Sequence, residues 1–109
     1  TAYAIFHDDV PLGVVIVWIQ PDHENFLGNI FIDPDFQGKG SGLSVWKFIE
    51  GKYPDTRIWR TETAGFSTRN HYFYVNKCGF HVVKIEHPND KYAASYLMEK
   101  DMKRSESIT

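Results

Sequence analysis

Three glycines at alternate positions, Gly38, Gly40 and Gly42, fall in the run Gln37-Gly38-Lys39-Gly40-Ser41-Gly42, between an apolar stretch over residues 26–32 and an amphipathic stretch over residues 43–53. Such a segment reads as strand, tight turn and helix. The turn has no side-chain bulk, so backbone N–H groups are able to converge on a ligand. The helix behind it adds unpaired N–H donors and a partial positive charge at its first turn. Together these predict an anion site, for a phosphate or diphosphate.

Spacing separates the known phosphate loops. A Walker A loop needs Gly, four residues, then Gly-Lys followed by Ser or Thr, but here Lys39 precedes Gly40. The dinucleotide fingerprint needs glycines at relative positions one, three and six, and the sixth position counted from Gly38 is Leu43. What remains is Gln-x-x-Gly-x-Gly, filled by Gln37, Gly40 and Gly42 and preceded by Ile32-Asp33-Pro34-Asp35-Phe36. A glycine-rich turn that only caps a helix is the plain alternative.

That run resembles the signature of the GNAT superfamily of N-acetyltransferases, whose Arg/Gln-x-x-Gly-x-Gly/Ala loop grips the diphosphate of acetyl-coenzyme A. A second stretch, Asn70-His71-Tyr72-Phe73-Tyr74-Val75-Asn76-Lys77-Cys78-Gly79-Phe80, is similar to the family's helix ending in Tyr-x-x-x-Gly-Phe. Gly79 stands where a helix needs a left-handed terminating residue. The match departs in one respect. Tyr74 lies five positions before Gly79 rather than four, and Val75 fills the usual slot. Either a one-residue bulge restores the tyrosine or its role is lost.

Composition supplies the bounds. The chain of 109 residues is 42% hydrophobic and 16% aromatic, enough for one domain with a real core. No eighteen-residue apolar run is present, so no membrane span is expected. A net charge of −2 without a basic cluster argues against nucleic acid. Cys78 is the single cysteine and reads as a small buried apolar residue; with no internal disulfide possible, a reducing cytoplasm is expected. The five histidines show no paired metal spacing, so no metal is expected.

Along the chain the pattern is a meander followed by alternating helices and strands. Residues 3–7 read as a short strand, residues 8–11 as a tight turn and residues 13–19 as a nearly all-apolar strand covered on both faces. Residues 26–32 form the strand before the glycine turn. In the helix over 43–53, Leu43, Trp46, Ile49 or Glu50, and Tyr53 recur at three- and four-residue steps. Residues 57–63 read as a strand, Ser67 or Thr68 as the cap of a second helix, and residues 81–86 and 93–100 as two strands joined by a turn. Residues 103–109 lack an apolar pattern and are expected to be a flexible tail.

The resemblance implies an α/β (α+β) fold: a mixed, mostly antiparallel central sheet with two helices, lacking the family's first strand and first two helices. Residues 1–102 would be the C-terminal two-thirds of an acetyltransferase domain. Because the chain starts with Thr1, a trimmed fragment is expected, with a homodimer partner or a missing N-terminal segment covering the apolar strand at 14–19.

The resemblance also implies acetyl transfer from acetyl-CoA, the cosubstrate, to the primary amine of a small molecule. In that mapping the amides of Gly38, Lys39, Gly40, Ser41 and Gly42 hold the diphosphate and Gln37 orders the loop. Main-chain groups of Ile30, Phe31 and Ile32 pair with the pantetheine arm, and Asn70 hydrogen-bonds the cofactor. Tyr74, with Tyr72 second, protonates the departing thiolate. The general base is read from position instead: of Glu24, Asp33 and Glu62, all at expected strand ends, Glu62 leads, because its strand is expected beside the loop-bearing strand. A catalytically inactive, CoA-binding or dimerising module is the alternative, and the acceptor is not named by the sequence.

Overall fold

A computed structural model describes residues 1–38 and 40–102. The loop candidate Lys39 and the expected tail at 103–109 lie outside the described residues. The chain is a mixed α/β fold that divides after Thr56 into two compact units.

The first unit is an antiparallel meander followed by a helix. Strand β1 is Ala2–His7, β2 is Val10–Trp18 and β3 is Glu24–Ile32. Asp8 and Asp9 both take positive φ (50° and 65°), so the hairpin turn is two residues long and Val10 and Pro11 already belong to β2 rather than to the expected turn. Between Ile16 and Val17 the register with β3 slips from Asn29 to Leu27, which leaves Gly28 as a bulge. Trp18 beside this bulge meets Phe26 with ring centroids 5.6 Å apart.

Burial in β2 alternates, which corrects the expectation of a strand covered on both faces. Val15 and Val17 are fully buried, whereas Val14 is 37% and Trp18 49% exposed. An uninterrupted apolar run does not distinguish these two cases, because the period-two pleat sends alternate residues to opposite faces whatever their polarity. The helix α1, Ser41–Lys52, follows β3 through a short 3₁₀ turn, Pro34–Phe36. It buries Val45, Trp46 and Ile49, so the stripe anticipated from Trp46 and Ile49 forms and gains Val45. Deep in the same unit Asn25 Nδ2 donates to Thr56 Oγ1 at 2.8 Å, and Thr56 donates onward to the Tyr53 carbonyl at 2.8 Å. Asn25 and Thr56, both buried, thereby have partners.

In the second unit β4 is Ile58–Ala64, α2 is Thr68–Tyr72, β5 is His81–Glu86 and β6 is Ser95–Asp101. β6 lies between β4 and β5 and pairs antiparallel with both. β4 buries Trp59, Thr61 and Thr63 and turns Glu62 to solvent. α2 is only one turn and more, and it continues directly into a π-helical segment, Phe73–Cys78. Ser67 precedes α2 as anticipated but makes no side-chain cap bond. No helix among the described residues is long and apolar enough to cross a membrane.

Candidate active site

The first group of candidate residues lies at the junction of β3, the 3₁₀ turn and α1. Asp33 anchors the junction: its Oδ1 accepts from the Asp35 N–H at 2.9 Å, its carbonyl accepts from Phe36 N–H at 2.8 Å, and its own N–H reaches the Leu12 carbonyl at 2.7 Å. Gln37 folds back so that Nε2 donates to the Ile32 carbonyl at 3.0 Å, tying the loop to the end of β3. The side chain expected to order the loop thus has its bond within the same unit.

Past Gln37 the main chain turns through the left-handed region. Gly38 has φ 78° and Gly40 has φ 79° with ψ 5°, conformations that cost an L residue roughly 1–2 kcal/mol. A Cβ at either position would meet nothing within 4 Å, so these glycines are required by the dihedral angle and not by crowding. The first hydrogen bond of α1 runs from Ser44 N–H to the Gly40 carbonyl at 3.1 Å. The amides of Ser41, Gly42 and Leu43 precede that bond and have no intrahelical acceptor. Open space on the glycine side and amides at a twelve-residue helix start are what a diphosphate requires, and the donor set is chemically fit for it.

Of the strand residues expected beside the loop, Ile30 and Ile32 are half-buried, whereas Phe31 is 57% exposed and pairs across the sheet with Val14. Phe31, Ile32, Asp33 and Gln37, with Phe6 and Val14, line an open groove of about 550 Å³ that borders the loop.

The second group lies on the helical segment of the other unit. Tyr74 is only 6% exposed. Its ring packs against Phe73 and Phe80 with centroids 5.6 and 5.8 Å away. Burial is the main force pushing its phenol above the ordinary tyrosine value; the Cys78 thiol adds to this, and a hydrogen bond with Thr61 opposes it. Asn70 Nδ2 reaches Thr63 Oγ1 at 3.5 Å. His71 Nε2 lies 3.0 Å from the Ala64 carbonyl and so donates its proton there, with the ring against Tyr96, centroids 4.3 Å apart and planes tilted by 31°. These contacts brace His71 as a structural residue of the helix.

The open question of spacing has a geometric answer. The Tyr74 carbonyl accepts from the N–H of Gly79, five residues on, and from Phe80 N–H at 2.9 Å. A hydrogen-bonded step spans five residues in a π-helix and four in an α-helix. Tyrosine and glycine are thus one such step apart here, as they are in Tyr-x-x-x-Gly-Phe, and the extra residue is absorbed by the π segment. Gly79 closes it with φ 91° and ψ 15°, the left-handed cap read from the sequence.

The remaining acid-base candidates separate from Tyr74. Tyr72 is 57% exposed, with Lys77 Nζ 5.7 Å from its ring. Glu62 lies on the face of β4 opposite Thr61 and Thr63, exposed to solvent. Among the described residues no cluster of three or more His, Cys, Asp or Glu is placed to hold a metal ion. Thr61 and Thr63 were not singled out from sequence; their signal is a Thr-x-Thr pattern inside a strand otherwise holding Trp59 and Ala64 inward or half-inward.

Comparison with known proteins decides what this assembly of parts belongs to. Residues 1–80 match the family model described as Acetyltransferase (GNAT) family. The chain belongs to the GNAT acetyltransferase family. It is 46% identical over 85 residues to the uncharacterized protein YrkN of Bacillus subtilis (strain 168), an alignment that takes in 76% of this chain and 45% of YrkN, so the chain spans less than half of that relative's length. Among solved structures, a Bacillus subtilis acetyltransferase in complex with CoA superposes with a TM-score of 0.79 at 18% identity, covering 92% of this chain and 75% of that one. The ribosomal-protein-S18-alanine N-acetyltransferase of Escherichia coli gives 0.78 at 16% identity, over 94% and 68%. At these identities the structures establish a shared GNAT fold.

Proposed function

We propose that this chain carries the acetyl-CoA loop and the acid-bearing helix of an N-acetyltransferase that acetylates a primary amine. The observation that carries the reading is the loop: two left-handed glycines with open space above them, followed by helix-start amides that have no acceptor within the helix. Acetyl-CoA supplies the activated acetyl thioester. Main-chain donors from Gly38 to Gly42 bind its diphosphate, and Gln37 keeps them convergent through its bond to Ile32. Backbone groups of Ile30, Phe31 and Ile32 take the pantetheine arm as an added strand, with one amide stabilising negative charge on the carbonyl oxygen.

Tyr74 holds the proton that the departing sulfur needs. A phenol raised above its ordinary value by burial stays protonated at neutral pH, so its proton is present when negative charge builds on the departing sulfur. Asn70 enters the same reading as a cofactor contact and Tyr72 as an exposed substitute acid. Glu62, open to solvent, is the proposed base that takes the amine's proton through water.

The test is a calorimetric titration of the intact protein with acetyl-CoA, followed by thiol release against a panel of small primary amines. The expected outcome is binding, amine-dependent thiol release, and a loss of about a hundredfold or more in turnover for Tyr74→Phe with affinity retained. Binding without thiol release for any amine would leave the inactive CoA-binding module as the function; no binding would remove both.

A further inference from the structure

Two hydroxyl groups stand on one face of β4 where aliphatic side chains would pack as well. Thr61 is 2% and Thr63 7% exposed. Each meets a polar side chain of the helical segment: Thr61 bonds the Tyr74 phenol, and Thr63 Oγ1 is 3.5 Å from Asn70 Nδ2. The spacing explains why both contacts form. Two residues along a strand advance about 6.6 Å and four along a helix about 6 Å, so hydroxyls two apart on β4 meet residues four apart on the helix. Tyr74 and Asn70 are therefore held as two rungs against one strand.

We propose that Thr61 is a positioning residue for acetyl transfer, its hydroxyl orienting the Tyr74 phenol so that the phenolic proton points away from β4 and is free to be given up. This rests on the reading of Tyr74 as the acid. A phenol has one proton and rotates about its C–O bond; if it donated to Thr61, that proton would be occupied. With Thr61 as donor the phenol oxygen accepts, and its own proton stays available. In the step itself the carbon–sulfur bond breaks, the sulfur takes the proton from Tyr74 Oη, and the phenolate left behind keeps the Thr61 hydrogen bond. Around the phenol stand Cys78 from its own segment, Thr61 from β4, and the apolar rings of Phe73 and Phe80.

The experiment compares Thr61→Val, which keeps shape and loses the hydroxyl, with Thr61→Ser, which keeps the hydroxyl and loses a methyl. Both are made in the intact protein. Acetyl-CoA affinity, thermal stability and the rate of thiol release from acetyl-CoA with water as acceptor are measured for each. Tyrosinate absorbance is titrated with the Tyr74→Phe protein as reference. Thr61→Val is expected to lose about tenfold in rate with affinity unchanged and to move the Tyr74 ionisation to higher pH. Thr61→Ser is expected to keep both rate and ionisation while melting lower, because it leaves a small cavity. Rates that follow stability, with Ser slower than Val, or a Tyr74 titration identical in the two variants, would overturn the proposal. Loss of acetyl-CoA binding in the unmutated protein, or an unchanged rate in Tyr74→Phe, would instead sink the acetyltransferase reading and leave the titration as the test of the contact.

Discussion

In the first unit the candidate ligand groups are main-chain amides, set by glycine dihedral angles at the start of a twelve-residue helix. In the second they are a phenol and a carboxamide, held by threonine hydroxyls from a neighbouring strand. Backbone donors need the right φ and an absence of side chains, whereas side-chain donors need register, burial and a partner. The two units should therefore respond to different kinds of substitution: the loop to any Cβ or charge, the helix to loss of its left-handed cap and of the hydroxyl opposite.

The largest expected effect is at Gly40. Asn and Asp are the L residues best tolerated in the left-handed region, so both should adopt φ 79° at similar cost. Gly40→Asn is expected to weaken acetyl-CoA binding severalfold, through backbone strain alone. Gly40→Asp adds a negative charge beside a diphosphate and should weaken binding a further ten- to hundredfold, with the gap narrowing as salt is raised. Calorimetry on the pair separates the two contributions. Equal affinities for the two variants would show that no diphosphate sits at this turn.

Next in size is the glycine that ends the π segment. Gly79→Ala forces an L residue to φ 91°, at a cost of about 1–2 kcal/mol in stability. Its Cβ would approach Lys100 Cε at 3.2 Å, the flexible end of a side chain, so crowding adds little. Deleting Asn76 is the matching test of spacing. It would bring Tyr74 and Gly79 to four residues apart, one α-helical step, while leaving the bond between them. Denaturant unfolding is expected to show a change within about 1 kcal/mol, as for an exposed position outside the core. A collapse in stability would mean that the π geometry itself, and not merely accommodation of an extra residue, holds Tyr74 in place.

The same contrast governs what was legible in the sequence. Gly79 was readable because a positive φ is a local demand that the residue type records directly, whereas Gly38 and Gly40 were read for their missing side chains and turn out to be required by positive φ instead. Cys78 and Trp46 were readable as buried because apolar residues at helical spacing have few other places to go. The faces of β2 were not, since Val14 and Val15 are the same residue type and only the fold decides that one is covered. Nor did the sequence choose between a lost tyrosine and a helix bulge, because the π segment Phe73–Cys78 is defined by backbone hydrogen bonds that residue type does not record. Thr61 and Thr63 went unread for the converse reason: threonine is ordinary in a strand, and only burial makes its hydroxyl informative.

The smallest effect compares two tyrosines whose phenols are raised for different reasons. Tyr53 in the first unit is pushed up to about 12, first by its hydrogen bond with Tyr3 and then by burial, whereas Tyr74 is raised first by burial. A folded-state value above the unfolded 10.0 means the native protein holds its proton longer. The associated stability is complete below pH 10 and is lost as the pH rises through the folded value, for Tyr53 between about 10 and 12. Removing the neighbour should then act in opposite directions in the two units. Tyr3→Phe takes away the leading cause and brings Tyr53 back toward 10, so its alkaline transition moves to lower pH. Thr61→Val takes away a hydrogen bond that favours the Tyr74 phenolate, so that transition moves higher. Tyrosinate absorbance followed from pH 9 to 12.5 resolves the two shifts, and shifts of the same sign would show that one of the two phenols is not held as its neighbours imply.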